Sequence, residues 1–359
     1  MRHRNPVLLA AAAAPAGTPA DRAASDPAVL AESSPVGFAS VDALGQDGTT
    51  GGAGGPTVTV STASELIAAI KAEGPRTVRV NDMIELPAGM YDVTSDKTIV
   101  GVGADSGISG GGLTIGLPVD DGVTSPPANA VHNVIVRNLT FKDAADDSIN
   151  VQMFSHHIWI DHNDLSGGYD GLIDIKRGSG YITVSWNHTH HHTKNMLLGH
   201  SDENAAQDTG RLKVTYHHNW YDRTPQRNPR TRFGNPVHIF NNYFHRNSDT
   251  GPACDAGSGC FVEGNYSEDV EEPMTNSYSG PKGSIVERNN VFVGEETGEP
   301  VVGGTVDDPP NRQGHRDAGR GPRHHRPVAP GGGDGAQRRG GSRCSSTSRS
   351  RPASTTAVM

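Results

Sequence analysis

From about residue 77 the apolar positions fall into short β-branched runs, each bounded by Gly, Asn, Asp or Ser. Thr77-Val78-Arg79-Val80, Thr98-Ile99-Val100, Val134-Ile135-Val136 and Tyr181-Ile182-Thr183-Val184 are examples, and runs of this kind predict short strands. Upstream, Thr57-Val58-Thr59-Val60 predicts another. Thr62-Ala63-Ser64-Glu65 then sets a capping box before Leu66-Ile67-Ala68-Ala69-Ile70, which predicts one short helix.

An asparagine follows run after run. Asn138, Asn163, Asn187, Asn219, Asn242, Asn265 and Asn289 are separated by 25, 24, 32, 23, 23 and 24 residues. A period near two dozen marks a solenoid, in which each coil buries its apolar face only against its neighbours. Asn suits a coil corner because it tolerates the left-handed conformation, and because stacked amides hydrogen-bond from coil to coil. No crossover holds a helix-length insert. The pattern therefore predicts an all-β, single-stranded parallel β-helix with a short N-terminal capping helix. The long step from Asn187 to Asn219 predicts about eight extra residues in a loop on one face, where solenoids tend to carry binding sites.

Composition agrees with a turn-rich β protein: 45 Gly, 24 Pro and only 5% aromatic residues in a chain of 359. Charge is uneven. From Asn311 onward there are ten Arg, no Lys and two acids, Asp317 and Asp334, so that tail carries +8 and the rest −17 within a total of −9. A body this acidic argues against general nucleic-acid binding. Residues 1–21, with Met1-Arg2-His3-Arg4 ahead of the apolar Val7–Ala14, read as a secretory signal and imply a secreted protein. No stretch is long and apolar enough for a membrane span. Residues 22–56 are rich in Ala, Gly, Ser and Pro and read as a flexible leader. Cys254 and Cys260 enclose a Gly/Ser loop and read as a small disulfide or as two free thiols.

The most pointed chemistry lies at Gln226-Arg227-Asn228-Pro229-Arg230-Thr231-Arg232, three arginines around a proline. Proline holds such a segment extended, and guanidinium forks match carboxylates, so a polyanionic partner is implied; a solvated basic loop is the plainer reading. Asp170 and Asp174, four residues apart, point the same way in a strand, and Asp147 joins them from the neighbouring coil roughly 4.8 Å away. Converging carboxylates suit Ca²⁺; solvated turn acids are the alternative. Lys194 projects onto the same face. His188, His190, His191 and His192 match no common zinc spacing, no acid or Cys completes them, and they read as surface and loop packing. Strand alternation is expected to send His190 and His192 one way and His191 the other.

These pieces fit one reaction. Ca²⁺ bridging a uronate carboxylate to protein acids acidifies the C5 proton, a base removes it, and the C4–O bond breaks by β-elimination. The ordered motifs Ile158-Trp159-Ile160-Asp161-His162, Asp170-Gly171-Leu172-Ile173-Asp174-Ile175-Lys176, Lys194-Asn195-Met196-Leu197-Leu198-Gly199-His200-Ser201-Asp202 and Arg227-Asn228-Pro229-Arg230-Thr231-Arg232 resemble the pectate lyases of the first polysaccharide-lyase family. The resemblance runs from about residue 57 to 308. It implies a right-handed parallel β-helix with an asparagine ladder as the catalytic domain, acting as a secreted monomer on polygalacturonate. It further implies Arg227 as the base, Lys194 and Arg232 as holders of substrate carboxylates, and Asp147, Asp170 and Asp174 as Ca²⁺ ligands. An arginine base requires alkaline conditions. A pectin lyase and a non-catalytic polysaccharide-binding β-helix are the rival readings.

The chain departs from the family twice. Some relatives carry a further acid where Ala145 stands here, with Asp146 adjacent. After Asp308 the family pattern stops, and 309–359 is an Arg/Gly/Pro/Ser-rich tail, expected to be disordered and to arise from a frame shift near 309–312 or from a natural wall-binding extension.

Overall fold

Each coil gives one short strand to each of three parallel sheets. In the computed structural model, which describes residues 34–278 and 280–310, these sheets hold ten, nine and seven strands. One coil runs His132–Arg137, Thr140–Lys142 and Ile149–Val151; the next stacks on it in register with His156–Asp161, Asp164–Ser166 and Ile173–Ile175. The parallel β-helix expected from the repeat is the observed fold. No helix among the described residues is long and apolar enough to cross a membrane.

Stacking sorts the side chains into columns. In the ten-stranded sheet, Val78, Ile99, Val136, Ile160, Val184, Tyr216, Ile239 and Val262 are register partners in turn, and all are buried. A buried side chain of this size contributes about 1.5–3 kcal/mol relative to exposure, so a column of β-branched residues drives the coils together. The helix forms over Ala63–Lys71 with Thr62 as N-cap, and both bonds of the Thr62–Glu65 capping box are made. Its Leu66, Ala69 and Ile70 cover the N-terminal end of the core.

The asparagine ladder is present, one register removed at each end. Asn163, Asn187, Asn219, Asn242, Asn265 and Asn290 each accept from the Asn before or donate to the Asn after through side-chain amides 2.8–3.0 Å apart. Asn290 rather than Asn289 ends the ladder, and at the start Leu139 fills the equivalent place, its N–H donating to Asn163 Oδ1. The left-handed corner belongs to the preceding residue: Asn138, His162, Trp186, His218, Asn241 and Asn289 all have φ near +53°. Bending and stacking are therefore divided between neighbours, because the stacked amide must turn inward while the bend residue turns outward.

Residues 34–56, expected as part of a flexible leader, are ordered against the outer face of the ten-stranded sheet. Gly37–Ser40 form a short turn, and Asp42–Ala43 pair with Gln46–Asp47. The Phe38 and Ala39 N–H groups donate to the hydroxyls of Thr215 and Thr183, His157 Nε2 meets the Val41 carbonyl, and Asn133 Oδ1 accepts from Thr50 and Gly51. The small residues that resemble a linker are what lets the backbone approach: a Cβ at Gly37 would sit 2.4 Å from Thr215 Oγ1. Residues 1–21, read as a signal, the start of the leader and the tail from 311 lie outside the described residues. Cys254 and Cys260 form a disulfide. The extra loop after Asn187 comprises residues 199–213, between Met196–Leu198 and Val214–His217, and includes the short helix Ala205–Asp208.

Candidate active site

The seven-stranded sheet turns Thr114, Asn150, Asp174, Leu197 and Arg230 away from the core in one register-aligned row. The turns that feed its strands bring in the other groups. Asp147 precedes Ile149–Val151, Asp170 precedes Ile173–Ile175, Lys194 precedes Met196–Leu198, and Arg227 precedes Arg230–Arg232. Stacking of the coils thus converts sequence positions tens of residues apart into neighbours.

Each carboxylate meets a side-chain cation. Asp147 is buried, accepting from Gly171 N–H at 2.8 Å and from Lys176 Nζ at 3.1 Å. Asp170 lies 3.2 Å from Lys194 Nζ and 3.4 Å from an Arg227 Nη, which is also 4.0 Å from Asp174. Asp170 and Asp174 therefore face one cation, although only Asp174 lies in a strand; alternation is not what aligns them. Burial, then the neighbouring Asp147 charge, pushes the Asp174 carboxyl up to about 8 against the pull of Lys176 and Arg227. Burial also raises Asp147, opposed by Lys176.

Two observations bear on whether a metal fits. Asp174 Oδ1 is buried with no hydrogen-bond partner, an uncompensated acceptor. Gly171 is the cradle between the acids: a Cβ there would lie 2.1 Å from Asp174 Oδ1 and 3.1 Å from Asp147 Oδ1. The donors are all hard oxygens, the set suited to Ca²⁺. Oxygens of Asp146, Asp147 and Asp170 lie within 4.8 Å of one another, so Asp146 belongs to the cluster. In the sequence Asp146 stands out only as the neighbour of Ala145, and its adjacency to Asp147 is the available signal.

The arginine segment turns rather than running extended: Arg227 has φ +62°, and the Asn228–Pro229 bond is cis. Arg232 is only 7% exposed and is already bound, its Nε 2.5 Å from Asp202 Oδ1 and one Nη 2.7 Å from the Gly199 carbonyl. Arg230 is held by Asp255 at 3.1 Å and lies over the Tyr278 ring. Lys194 Nζ donates to the Tyr169 carbonyl at 3.3 Å and sits 5.3 Å from that exposed ring. His200, beside Arg177, Lys176 and Arg232, is pushed down to about 4 by burial and then by those cations. The histidine cluster differs from expectation: Asp164, one coil earlier, lies beside His188 and His190, which share a face because they are two apart in one strand; that strand ends at His190, so the alternation expected to pair His190 with His192 does not extend to His192. Linear spacing does not reveal a ligand supplied by the adjacent coil.

The model of the pectate lyase family matches residues 10–298. The chain is 36% identical over 299 residues to a pectate trisaccharide-lyase of Bacillus licheniformis, covering 78% of this chain and 81% of that one. It is 40% identical over 282 residues to pectate lyase A of Emericella nidulans, covering 76% and 79%. Among solved structures, a pectate lyase from Bacillus sp. N165 in complex with trigalacturonate superimposes with a TM-score of 0.66 at 30% identity, covering 77% of this chain and 92% of that one. By sequence and by fold, the chain belongs to the pectate lyase family, an enzyme family of polysaccharide lyases.

Proposed function

We propose that the protein cleaves polygalacturonate by calcium-dependent β-elimination, with Arg227 as the base at C5. The observation that carries this is Arg227 set against Asp170 and Asp174 while Lys194 reaches the same Asp170. Asp147, Asp170 and Asp174 would hold Ca²⁺: Asp147 and Asp170 cluster with Asp146, and Asp174 flanks Asp147 at Gly171. Bound Ca²⁺ would link these acids to a substrate carboxylate and draw electron density from the C5–H bond.

Lys194 orients the substrate through a uronate carboxylate. Arg232 uses two of its five N–H groups on Asp202 and Gly199, so it fixes the loop 199–202 and offers a remaining N–H to substrate. As the base, Arg227 takes the C5 proton on a guanidine nitrogen. The C5–H electron pair becomes the C4–C5 double bond, the C4–O4 bond breaks, and O4 leaves with a proton from solvent. The relatives' names and the trigalacturonate complex support this substrate class. We also infer export, on the basic and apolar start of the chain and the Cys254–Cys260 disulfide.

The test is ultraviolet absorbance of unsaturated products from polygalacturonate, with calcium and with chelator, at mildly alkaline pH. Growth of the signal that needs calcium and is lost in Arg227→Lys is expected. A folded protein giving saturated products, or none, overturns the proposal.

A further inference from the structure

We propose that Asp164, His188 and His190 form a second metal site, on the outer face of the nine-stranded sheet, that takes Zn²⁺. The inference is independent of the reaction proposed above. Asp164 and His188 are register partners on adjacent coils, and His190 lies two residues on, on the same face. His188 Nδ1 is 2.9 Å from Asp164 Oδ2, and His190 Nε2 is 3.0 Å from Asp164 Oδ1. All three donor atoms lie within 4.8 Å of one another. A tetrahedral ion at about 2.0–2.1 Å from each ligand spaces them by roughly 3.3 Å; the two His–Asp164 contacts are within a few tenths of an ångström of that, and the two imidazole donors lie within 4.8 Å of each other.

The rings are held for this role. His188 stacks on His190 at 4.4 Å and on Trp220 at 4.2 Å. With Nδ1 as ligand, His188 presents Nε2 towards Asp222 Oδ2 at 3.8 Å, and the other Asp222 oxygen accepts from His245 Nδ1 at 2.8 Å. A carboxylate on that side is the usual outer partner of a metal-bound imidazole, and His188 Nε2, buried without a hydrogen-bond partner at this distance, is the group it would take. No Lys or Arg pairs with Asp164 among the described residues; Arg223, 4.0 Å from Asp222, is the nearby cation. The three side chains are part-exposed, which leaves a fourth position for water. Two imidazoles and a carboxylate favour Zn²⁺, whereas the all-oxygen cluster favours Ca²⁺, so the two sites select different ions. The ion would join two adjacent coils at the strand that leads into the turn carrying His192 and Lys194.

Calorimetric titration of the full chain with Zn²⁺ in calcium buffer at neutral pH tests this, with Co²⁺ absorption as a second readout of ligand geometry. The expectation is one ion bound with a tetrahedral Co²⁺ spectrum, a raised thermal midpoint, and affinity about tenfold to a hundredfold weaker in His190→Gln and in Asp164→Asn. Circular dichroism of each variant establishes that it is folded. Asp174→Asn is expected to bind Zn²⁺ as the parent does. Absence of stoichiometric binding, or binding unchanged in His188→Asn and His190→Gln, overturns the site and leaves the three side chains as hydrogen-bonded pairs.

Discussion

The guanidinium of Arg227 stands 3.4 Å from the carboxylate of Asp170, in a chain where 56 residues separate the two. Replacing Arg227 by Lys keeps the charge but not the reach of the fork. Turnover is expected to fall about 10²–10⁴-fold, the usual contribution of a positioned base, with little change in thermal midpoint. Product absorbance and a melt of the same sample check it.

Asp174 should govern how the metal-free protein responds to alkali. Its folded value is raised from 3.8 to about 8, so the metal-free fold favours the protonated carboxyl. That contribution is complete below the ordinary value and is lost as pH rises through about 8. Chelated protein is therefore expected to melt at progressively lower temperature across this window, calcium to reverse the trend, and Asp174→Asn to flatten it. Melts against pH with and without chelator decide.

His156 should act at the other end of the scale. Burial, then the neighbouring His157 and His132, pushes it down from 6.5 to about 4. Its neutral form is favoured in the fold, so stability present above 6.5 is lost as pH falls through about 4. His157, which is bonded to His156, holds the Val41 carbonyl, so the docked segment 37–52 should loosen first. Amide exchange of that segment at neutral and acid pH, in the parent and in His156→Asn, reads this directly.

Asn219 and Asn138 should differ sharply on replacement by Ala. Asn219 Oδ1 accepts from Asn187, and its amide donates to Asn242 and to the Val184 carbonyl, all buried. Losing it strands several polar groups and should cost about 3 kcal/mol or more. Asn138 makes a half-buried bond to the Gly101 carbonyl and sits at φ +54°, so about 1–2 kcal/mol is expected. Chemical denaturation of both variants compares them.

Much of this architecture is legible in one dimension because a coil is a local object with a fixed length. Each step between successive asparagines from Asn163 to Asn265 spans one repeat, and the Thr62–Glu65 box spans one helical turn, so spacing alone reveals them. What sequence missed lies between coils. Asp164 completes His188 and His190 only through lateral register, Asp202 reaches Arg232 only through the extra loop, and Asp146 matters only once Asp147 and Asp170 are stacked. The leader misled for a related reason: small residues signal looseness in isolation and close contact when a wall of threonine hydroxyls faces them.

The docked segment 37–52 has a mechanical consequence. Each coil of a solenoid touches only its two neighbours, so such a molecule tends to fray coil by coil from its ends. Here one strap crosses five consecutive strands of the ten-stranded sheet, fastened at Thr98, Asn133, His157, Thr183 and Thr215. Those fastenings lie at right angles to the winding of the chain, like a batten nailed across barrel staves. The coils that carry Asp147, Asp170, Asp174 and Lys194 fall within the span it ties together, so the acids and the lysine are bound into one cooperative block whose opening requires the strap to lift.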